Sequence, residues 1–151
     1  MILRITALGV VLLAGLAIAD DDDTNRAKLV GSWQLADSAN AKESQSWSFQ
    51  EKGDTVHVTN VAGPKTVMDF DCDSMGHDCV VKDNGHSAKM SFYYDGPKLI
   101  QMETKGSSTL RRTFVVTGNG DTMDMVQETF APNPKTETMH FKRVVTANAA
   151  H

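Results

Sequence analysis

Short alternating strands separated by glycine turns fill the chain between Gly31 and Arg143, and this pattern constrains the fold more than any other feature. In Trp47-Ser48-Phe49 and over residues 90–94, apolar and polar residues alternate with the period of two that is typical of a strand with one buried face. Beyond a possible helical turn at residues 24–30, no window keeps apolar residues at helical spacing. The pattern predicts an all-β domain.

Turn sequences divide this region at intervals that suit hairpins. Asn84-Gly85 is the sharpest signal, because both central residues of a type I′ turn need positive φ. The runs between turns predict strands near residues 31–36, 45–51, 55–61, 66–72, 79–83, 87–95, 98–104, 109–117, 121–129 and 136–145. Hairpin order favours a single antiparallel up-and-down barrel of about eight to ten strands, with the first strand paired to the last. An immunoglobulin-like sandwich is the alternative fold.

The first residues have the pattern of a secretion signal. Arg4 precedes an apolar run over residues 5–16, and Ala17-Ile18-Ala19 forms a small-residue cleavage site. About 130 residues remain after cleavage, which suits one domain with one core. We therefore expect a signal peptide over residues 1–19, an acidic segment over 20–30, a barrel domain over 31–146 and a tail over 147–151.

The net charge limits the classes of partner that we expect, and the expected compartment determines the state of the two cysteines. A formal net charge of −4 disfavours nucleic acid and anionic membrane surfaces, because both attract clustered Lys and Arg. The apolar run is too short for membrane insertion, so we expect soluble export to the periplasm or the extracellular space. Cys72 and Cys79 are the two cysteines, and an exported chain keeps such a pair oxidised. We expect a disulfide between them.

Gly31-x-Trp33 on the first strand and Arg143 on the last resemble the ends of calycin barrels, meaning lipocalins and their relatives. The segments GSWQL, TGNGDTM and MHFKRV are similar to those of small exported lipocalin-like bacterial proteins of unassigned function. The resemblance implies that Trp33 and Arg143 stack to close one end of the barrel. It also implies a ligand cavity that opens at the other end.

Apolar and aromatic residues of the predicted strands are candidates for the lining of that cavity. Methionine is flexible and polarizable, so a Met-rich lining adapts to varied apolar ligands. A core filled completely by its own side chains is the alternative use of the same residues. The candidate ligand-binding residues are Trp47, Met68, Met90, Phe92, Tyr94, Met102, Arg112, Phe114 and Met139.

The pair Arg111-Arg112 places one cation inward, because neighbours on a strand face opposite ways. A buried guanidinium needs a partner. That partner is either a ligand carboxylate or Glu103 on the neighbouring strand, and the internal ion pair is the favoured interpretation.

Two polar clusters invite a metal hypothesis. Asp69, Asp71 and Asp73 resemble the start of a calcium loop, but their shared face indicates a solvated outer surface. His77 and His86 could hold copper or zinc weakly, with polar loop histidines as the simpler interpretation. We predict no metal and no cofactor.

Catalytic motifs are absent from the sequence: it contains no Gly-x-Ser-x-Gly, no His-Glu-x-x-His and no phosphate-binding glycine loop. The sequence therefore favours a non-enzymatic exported protein that carries a small apolar or amphipathic ligand. The alternatives are a filled barrel that acts through its outer surface, as an interaction or inhibitor-like protein, and a weak metal-binding envelope protein.

Overall fold

The computed structural model describes residues 21–37, 44–83 and 86–145, which form a short helix followed by one antiparallel sheet. The helix is α1 (Asp21–Ala27). The strands are β1 (Gly31–Leu35), β2 (Gln45–Lys52), β3 (Thr55–Ala62), β4 (Lys65–Asp73), β5 (Cys79–Asp83), β6 (His86–Asp95), β7 (Lys98–Lys105), β8 (Ser108–Thr117), β9 (Thr122–Ala131) and β10 (Lys135–Arg143). Every predicted strand is present with bounds that agree within two residues.

All ten strands belong to a single sheet in the order β4-β3-β2-β1-β10-β9-β8-β7-β6-β5. The first and last strands pair, with Trp33 opposite Arg143, as the sequence predicted. The sheet curls until its edge strands, β4 and β5, approach each other, which makes a nearly closed barrel. The all-β up-and-down fold is confirmed, and one seam, between β4 and β5, lacks strand pairing among the described residues.

A disulfide crosses that seam. Cys72 lies near the end of β4 and Cys79 begins β5, and their Cα atoms are 5.8 Å apart across the bond. In the loop between them, Met75 forms an isolated β-bridge with Tyr93 of β6. The predicted disulfide is confirmed, and it ties one edge of the sheet to the other.

The segment that carries α1 lies against one end of the barrel, which we call the α1 end. Arg26 Nε donates to the carbonyl of Gly96 in the β6–β7 turn at 2.8 Å. Leu29, just after the helix, is buried in the core, and its carbonyl accepts a hydrogen bond from Trp33 Nε1 at 2.9 Å. The turns β2–β3, β6–β7 and β8–β9 share the α1 end, while β3–β4, β7–β8 and β9–β10 turn at the opposite end.

Aromatic rings fill the interior toward the α1 end. The ring of Phe114 lies 5.0 Å from the rings of both Trp47 and Phe49, in edge-on contacts. These residues come from β8 and β2, which face each other across the barrel, so their contact joins opposite walls. Period-two alternation on each strand supplies this core: buried residues include Trp33, Val56, Val58, Phe92, Leu99, Met123, Met125 and Phe141.

Some predictions fall on residues that lie outside the described ranges. These are the signal peptide over residues 1–19, the tail over 147–151 and the Asn84-Gly85 turn. Within the described ranges, no helix has the length and apolar character needed to cross a membrane.

Candidate functional site

The predicted ligand-binding residues lie mainly on the inner face of the barrel. Trp47, Met68, Met90, Phe92 and Phe114 are buried. Tyr94 and Met139 are partly buried and pack against the same core. Arg112 has an almost buried side chain on the inner face of β8.

Met102 is the exception among the predicted residues. On β7 the inner positions are Leu99, Gln101 and Glu103, so alternation sends Met102 to the outer face. There it pairs across the strands with Arg111. Met102 is therefore not part of the inner lining, contrary to the prediction, because composition alone does not determine which residues of β7 face inward.

A row of polar residues crosses the inner wall from β10 to β7. Glu137 is paired with Gln127, Gln127 with Arg112, and Arg112 with Gln101. The next inner row toward the α1 end is apolar and consists of Met139, Met125, Phe114 and Leu99. The interior therefore changes from an aromatic half to a polar band.

Arg112 is the centre of this polar band. Its Nη1 lies 2.7 Å from Glu103 Oε2, and its Nε donates to Gln127 Oε1 at 2.9 Å. The side chains of Arg112 and Glu103 are only 11% and 12% exposed, so this is a nearly buried ion pair. The guanidinium also lies over the Trp47 ring, 5.5 Å from its centroid. The internal pair favoured from the sequence is present.

Two buried polar atoms beside Arg112 have no hydrogen-bond partner among the described residues: Trp47 Nε1 and Gln101 Oε1. Both residues have 0% of their surface exposed. The amide nitrogen of Gln101 is directed toward the Met90 sulfur at 3.4 Å, which leaves the amide oxygen as the unpaired atom. Native proteins rarely leave such atoms unpaired, since each costs about 1–3 kcal/mol.

Sequence reasoning missed Gln101 and Gln127 as members of the inner wall. The signal was nevertheless present: Gln101 is in phase with Leu99, and Gln127 is in phase with Met125. A polar residue in phase with buried neighbours on an alternating strand faces the interior. Phase read together with composition identifies Gln127, whereas apolar residues on both faces of β7 leave the inward phase of Gln101 to be set by pairing with the neighbouring strands.

The Trp33 and Arg143 pair closes the α1 end. The Arg143 guanidinium lies 4.2 Å from the Trp33 ring centroid. It donates to the carbonyls of Gly120 and Val30 at 2.9 Å, and also to that of Lys28. This cation therefore binds the β8–β9 turn and the segment after α1 to the first strand.

Gly31 explains the glycine of the Gly-x-Trp motif. A Cβ atom at this position would lie 2.7 Å from Arg143 Nη1, and its φ of 130° is one that other residues rarely adopt. In this motif, Trp33 supplies the ring that Arg143 covers, and Gly31 leaves the space that the Arg143 guanidinium needs.

A surface pocket lies where the seam meets the α1 end, and it is lined partly by Glu51, Met75 and Tyr94. The Tyr94 hydroxyl donates to the Glu51 carboxylate, and the Arg26 guanidinium lies 4.9 Å from the Tyr94 ring centroid. Burial raises the pKa of Glu51, and the charge of Arg26 partly offsets that rise. The inner Tyr94 thus connects the interior with this pocket.

The candidate metal ligands are dispersed or engaged with one another. His57 lies between Asp69 and Asp71, with nitrogen to oxygen distances of 3.0 and 2.8 Å, on the outer face of β3 and β4. His77 and His86 lie at opposite ends of β5, so they do not converge. In the ranges covered by the structure, no three His, Cys, Asp or Glu residues form a metal-binding group.

Several solved structures share this architecture. The chain is similar to a secretory abundant heat soluble protein from Ramazzottius varieornatus, with 13% identity and a TM-score of 0.64 over 78% of this chain and 96% of that one. It is also similar to a Schistosoma mansoni fatty acid binding protein in complex with arachidonic acid, with 18% identity and a TM-score of 0.65 over 80% of this chain and 99% of that one. For lipid binding protein 8 of Caenorhabditis elegans the identity is 14% and the TM-score is 0.61, over 78% of this chain and 96% of that one.

No protein-family model and no curated protein matches the sequence. The structural likenesses, at these identities, concern the fold. They are consistent with the resemblance read from Gly31-x-Trp33 and Arg143: the chain folds as a nearly closed up-and-down β-barrel, similar to that of the fatty acid binding protein.

Proposed function

We propose that this chain is an exported, non-enzymatic protein that binds one small apolar or amphipathic molecule inside its barrel. The observation that carries the proposal is the junction of an apolar interior with unpaired polar atoms, Trp47 Nε1 and Gln101 Oε1, beside Arg112. Ligand sites typically combine an apolar lining with a few convergent polar groups that orient the ligand. The arachidonic acid held by the Schistosoma mansoni protein supports a ligand of this class.

The inner residues divide into two groups by their proposed role. Removing the ligand's apolar surface from water supplies the main driving force, at about 25 cal/mol for each Å² that is buried. Arg112 and its polar neighbours orient the ligand's polar end. The apolar part contacts Trp47, Met68, Met90, Phe92, Tyr94, Phe114 and Met139.

Export is supported by the signal-like residues 1–19 and by the disulfide, since disulfides persist in oxidising compartments. One neighbour of the same fold is described as a secretory protein, which is compatible with a barrel of this kind outside the cytosol.

Native mass spectrometry of the purified chain, followed by organic extraction, tests the proposal most directly. We expect a single bound apolar molecule, with a mass that disappears after extraction. The extracted protein should then bind the uncharged fluorescent apolar probe N-phenyl-1-naphthylamine saturably at one site. A protein that carries no molecule and shows no saturable probe binding would contradict the proposal.

The methionines offer a matched control for where the probe binds. Met139 faces the interior and Met102 faces outward, and both lie within strands. Met139→Gln should weaken probe binding several-fold because it places an amide in the apolar lining, whereas Met102→Gln should leave it unchanged. Equal effects of the two variants would place the probe outside the barrel.

A second candidate function, a surface interaction protein, is favoured by exposed apolar residues at the seam. Val80 on β5 is 70% exposed and Met75 in the disulfide loop is 64% exposed. Exposed apolar patches often mark partner sites. This candidate predicts an empty protein that lacks a saturable probe site and acquires a protein partner through Val80, so Val80→Ser would abolish that contact.

A further inference from the structure

We propose that the polar end of the ligand is an uncharged group that both donates and accepts hydrogen bonds, a hydroxyl or a primary amide, and not a carboxylate. The inference rests on the proposed function, because it assumes that the interior holds a ligand. It concerns the polar band around Arg112 and the two unpaired atoms beside it.

Charge is the first argument. Arg112 is the cation of the band, but Glu103 already neutralises it at 2.7 Å in a nearly buried pair. The paired row also includes Glu137, whose carboxylate lies 2.6 Å from Lys135 Nζ. A ligand carboxylate would lose its hydration here and would face two existing carboxylates. Because the cation of the band is already neutralised, nothing in the band would compensate this cost, so binding of a carboxylate is unfavourable.

Hydrogen bonding is the second argument. Trp47 Nε1 is a donor that needs an acceptor, whereas Gln101 Oε1 is an acceptor that needs a donor. A carboxylate has no donor, so it would leave Gln101 Oε1 unpaired and set oxygen lone pairs against it. A hydroxyl or a primary amide carries both functions and can satisfy both atoms.

The position of these atoms supports a common partner for them. Gln101 is the direct cross-strand neighbour of Arg112, and the Arg112 guanidinium lies over the Trp47 ring. Both residues therefore neighbour Arg112, at the edge of the apolar half of the interior. A ligand whose alkyl part packs against the apolar residues at this edge would present its polar end here.

Displacement of the uncharged probe N-phenyl-1-naphthylamine by one alkyl chain with three different ends tests the inference. The ligands are decanoate, decan-1-ol and decanamide, at neutral pH and matched ionic strength. We expect the alcohol or the amide to bind at least about tenfold more tightly than decanoate. Equal or tighter binding of decanoate would overturn the inference and leave the proposed function intact; failure of all three ligands and of the probe would contradict both.

A variant should reverse the preference. Glu103→Gln keeps an acceptor for Arg112 but removes the neutralising charge, so decanoate should gain at least about tenfold relative to decan-1-ol. The matched control is Glu128→Gln, which removes a carboxylate from the outer Arg111 pair and should leave the preference unchanged. An unchanged preference in Glu103→Gln would overturn the charge argument.

A second variant keeps the inference testable if Glu103→Gln does not fold. Gln101→Leu removes the unpaired acceptor while keeping a similar volume, and its far-ultraviolet circular dichroism should match that of the unsubstituted chain. We expect it to lose most of the preference for decan-1-ol over decanoate, because the hydroxyl proton no longer has its acceptor. A preserved preference would overturn the hydrogen-bonding argument.

Discussion

The barrel has two seams that are closed by different chemistry. At the first, β1 and β10 pair through their backbones, and Arg143 covers the Trp33 ring. At the second, the edge strands β4 and β5 lack strand pairing among the described residues, and a disulfide between Cys72 and Cys79 joins them. One seam depends on a local motif and strand pairing, whereas the other depends on a covalent bond.

The difference shows where the barrel is best able to open. Paired strands satisfy their N–H and C=O groups in each other, whereas edge strands leave part of theirs to water. The second seam also contains the shorter of the two edge strands, β5, in which Val80 is largely exposed. This seam borders the surface pocket that Tyr94 lines. We expect local opening to begin there, because regions with few buried contacts open at low free energy.

The largest expected effect concerns the first seam. Trp33→Ala should lower the free energy of unfolding by about 3–5 kcal/mol, because it removes a fully buried ring and the surface that Arg143 covers. Urea denaturation measures the change. The control, Tyr93→Ala at the second seam, truncates a partly exposed ring and should cost less, and a Trp33→Ala cost below about 1 kcal/mol would contradict this account of the first seam.

The next effect concerns the disulfide. Cys72→Ser with Cys79→Ser should destabilise the chain by about 2.5 kcal/mol, the chain-entropy value for a loop of this length. Urea denaturation of the double variant and of the oxidised chain measures it. Intact mass under non-reducing conditions checks the premise, since two free thiols would show that the seam is not covalently closed.

A smaller effect is expected when Gly31 is substituted. Gly31→Ala should destabilise the chain by about 1–3 kcal/mol, because the new Cβ meets Arg143 Nη1 at a φ of 130°. The matched control is Gly53→Ala, which also has positive φ but has no atom within 4 Å of the added Cβ. In thermal denaturation, the melting temperature of Gly31→Ala should be lower than that of the control. Equal decreases in melting temperature would mean that the Arg143 side chain moves aside freely.

The smallest effect is a pH dependence at the second seam. The backbone N–H of Met75 donates to the Asp73 carboxylate, and this bond, with help from His77, lowers the pKa of Asp73. A lowered pKa in the folded chain contributes stability above the ordinary Asp value, and that stability is lost as the pH falls through the lowered pKa.

Asp73→Asn tests this sign. The variant should lack that part of the acid dependence, so its stability should approach that of the unsubstituted chain as the pH falls below the ordinary Asp pKa. Unfolding by urea at a series of acidic pH values measures the difference. A constant difference at every pH would show that the Met75 contact has no role in acid sensitivity.

Strand bounds were accessible from the sequence because local signals set them. Glycine turns fixed the ends of β3 and β4 and of β6 and β7, and period-two alternation set the faces of β2 and β6. The Met102 correction arose where a strand carries apolar residues on both faces: Leu99, Ile100 and Met102 leave the phase of β7 ambiguous without its neighbours.

The candidate site was partly predictable. Arg112 was singled out because a basic pair on a strand must send one member inward, and Glu103 was named as its partner. Gln101 was missed because its burial depends on pairing with Arg112 and Phe92 from two other strands. The convergence of Trp47 on the same guanidinium requires contact across the barrel, which no local pattern encodes.

The sequence by itself determined the all-β class and the hairpin order, since both follow from alternation and turn chemistry. It also indicated the cysteine pair, through the expected export, and the Gly31, Trp33 and Arg143 combination, through the family resemblance. Only the tertiary structure decided that β4 and β5 stay unpaired within the described part of the chain and that the disulfide lies at that seam. It also brought Trp47 and Gln101 beside Arg112. The physical reason is that curvature and cross-barrel packing depend on all the strands together, whereas turns and alternation act over a few residues.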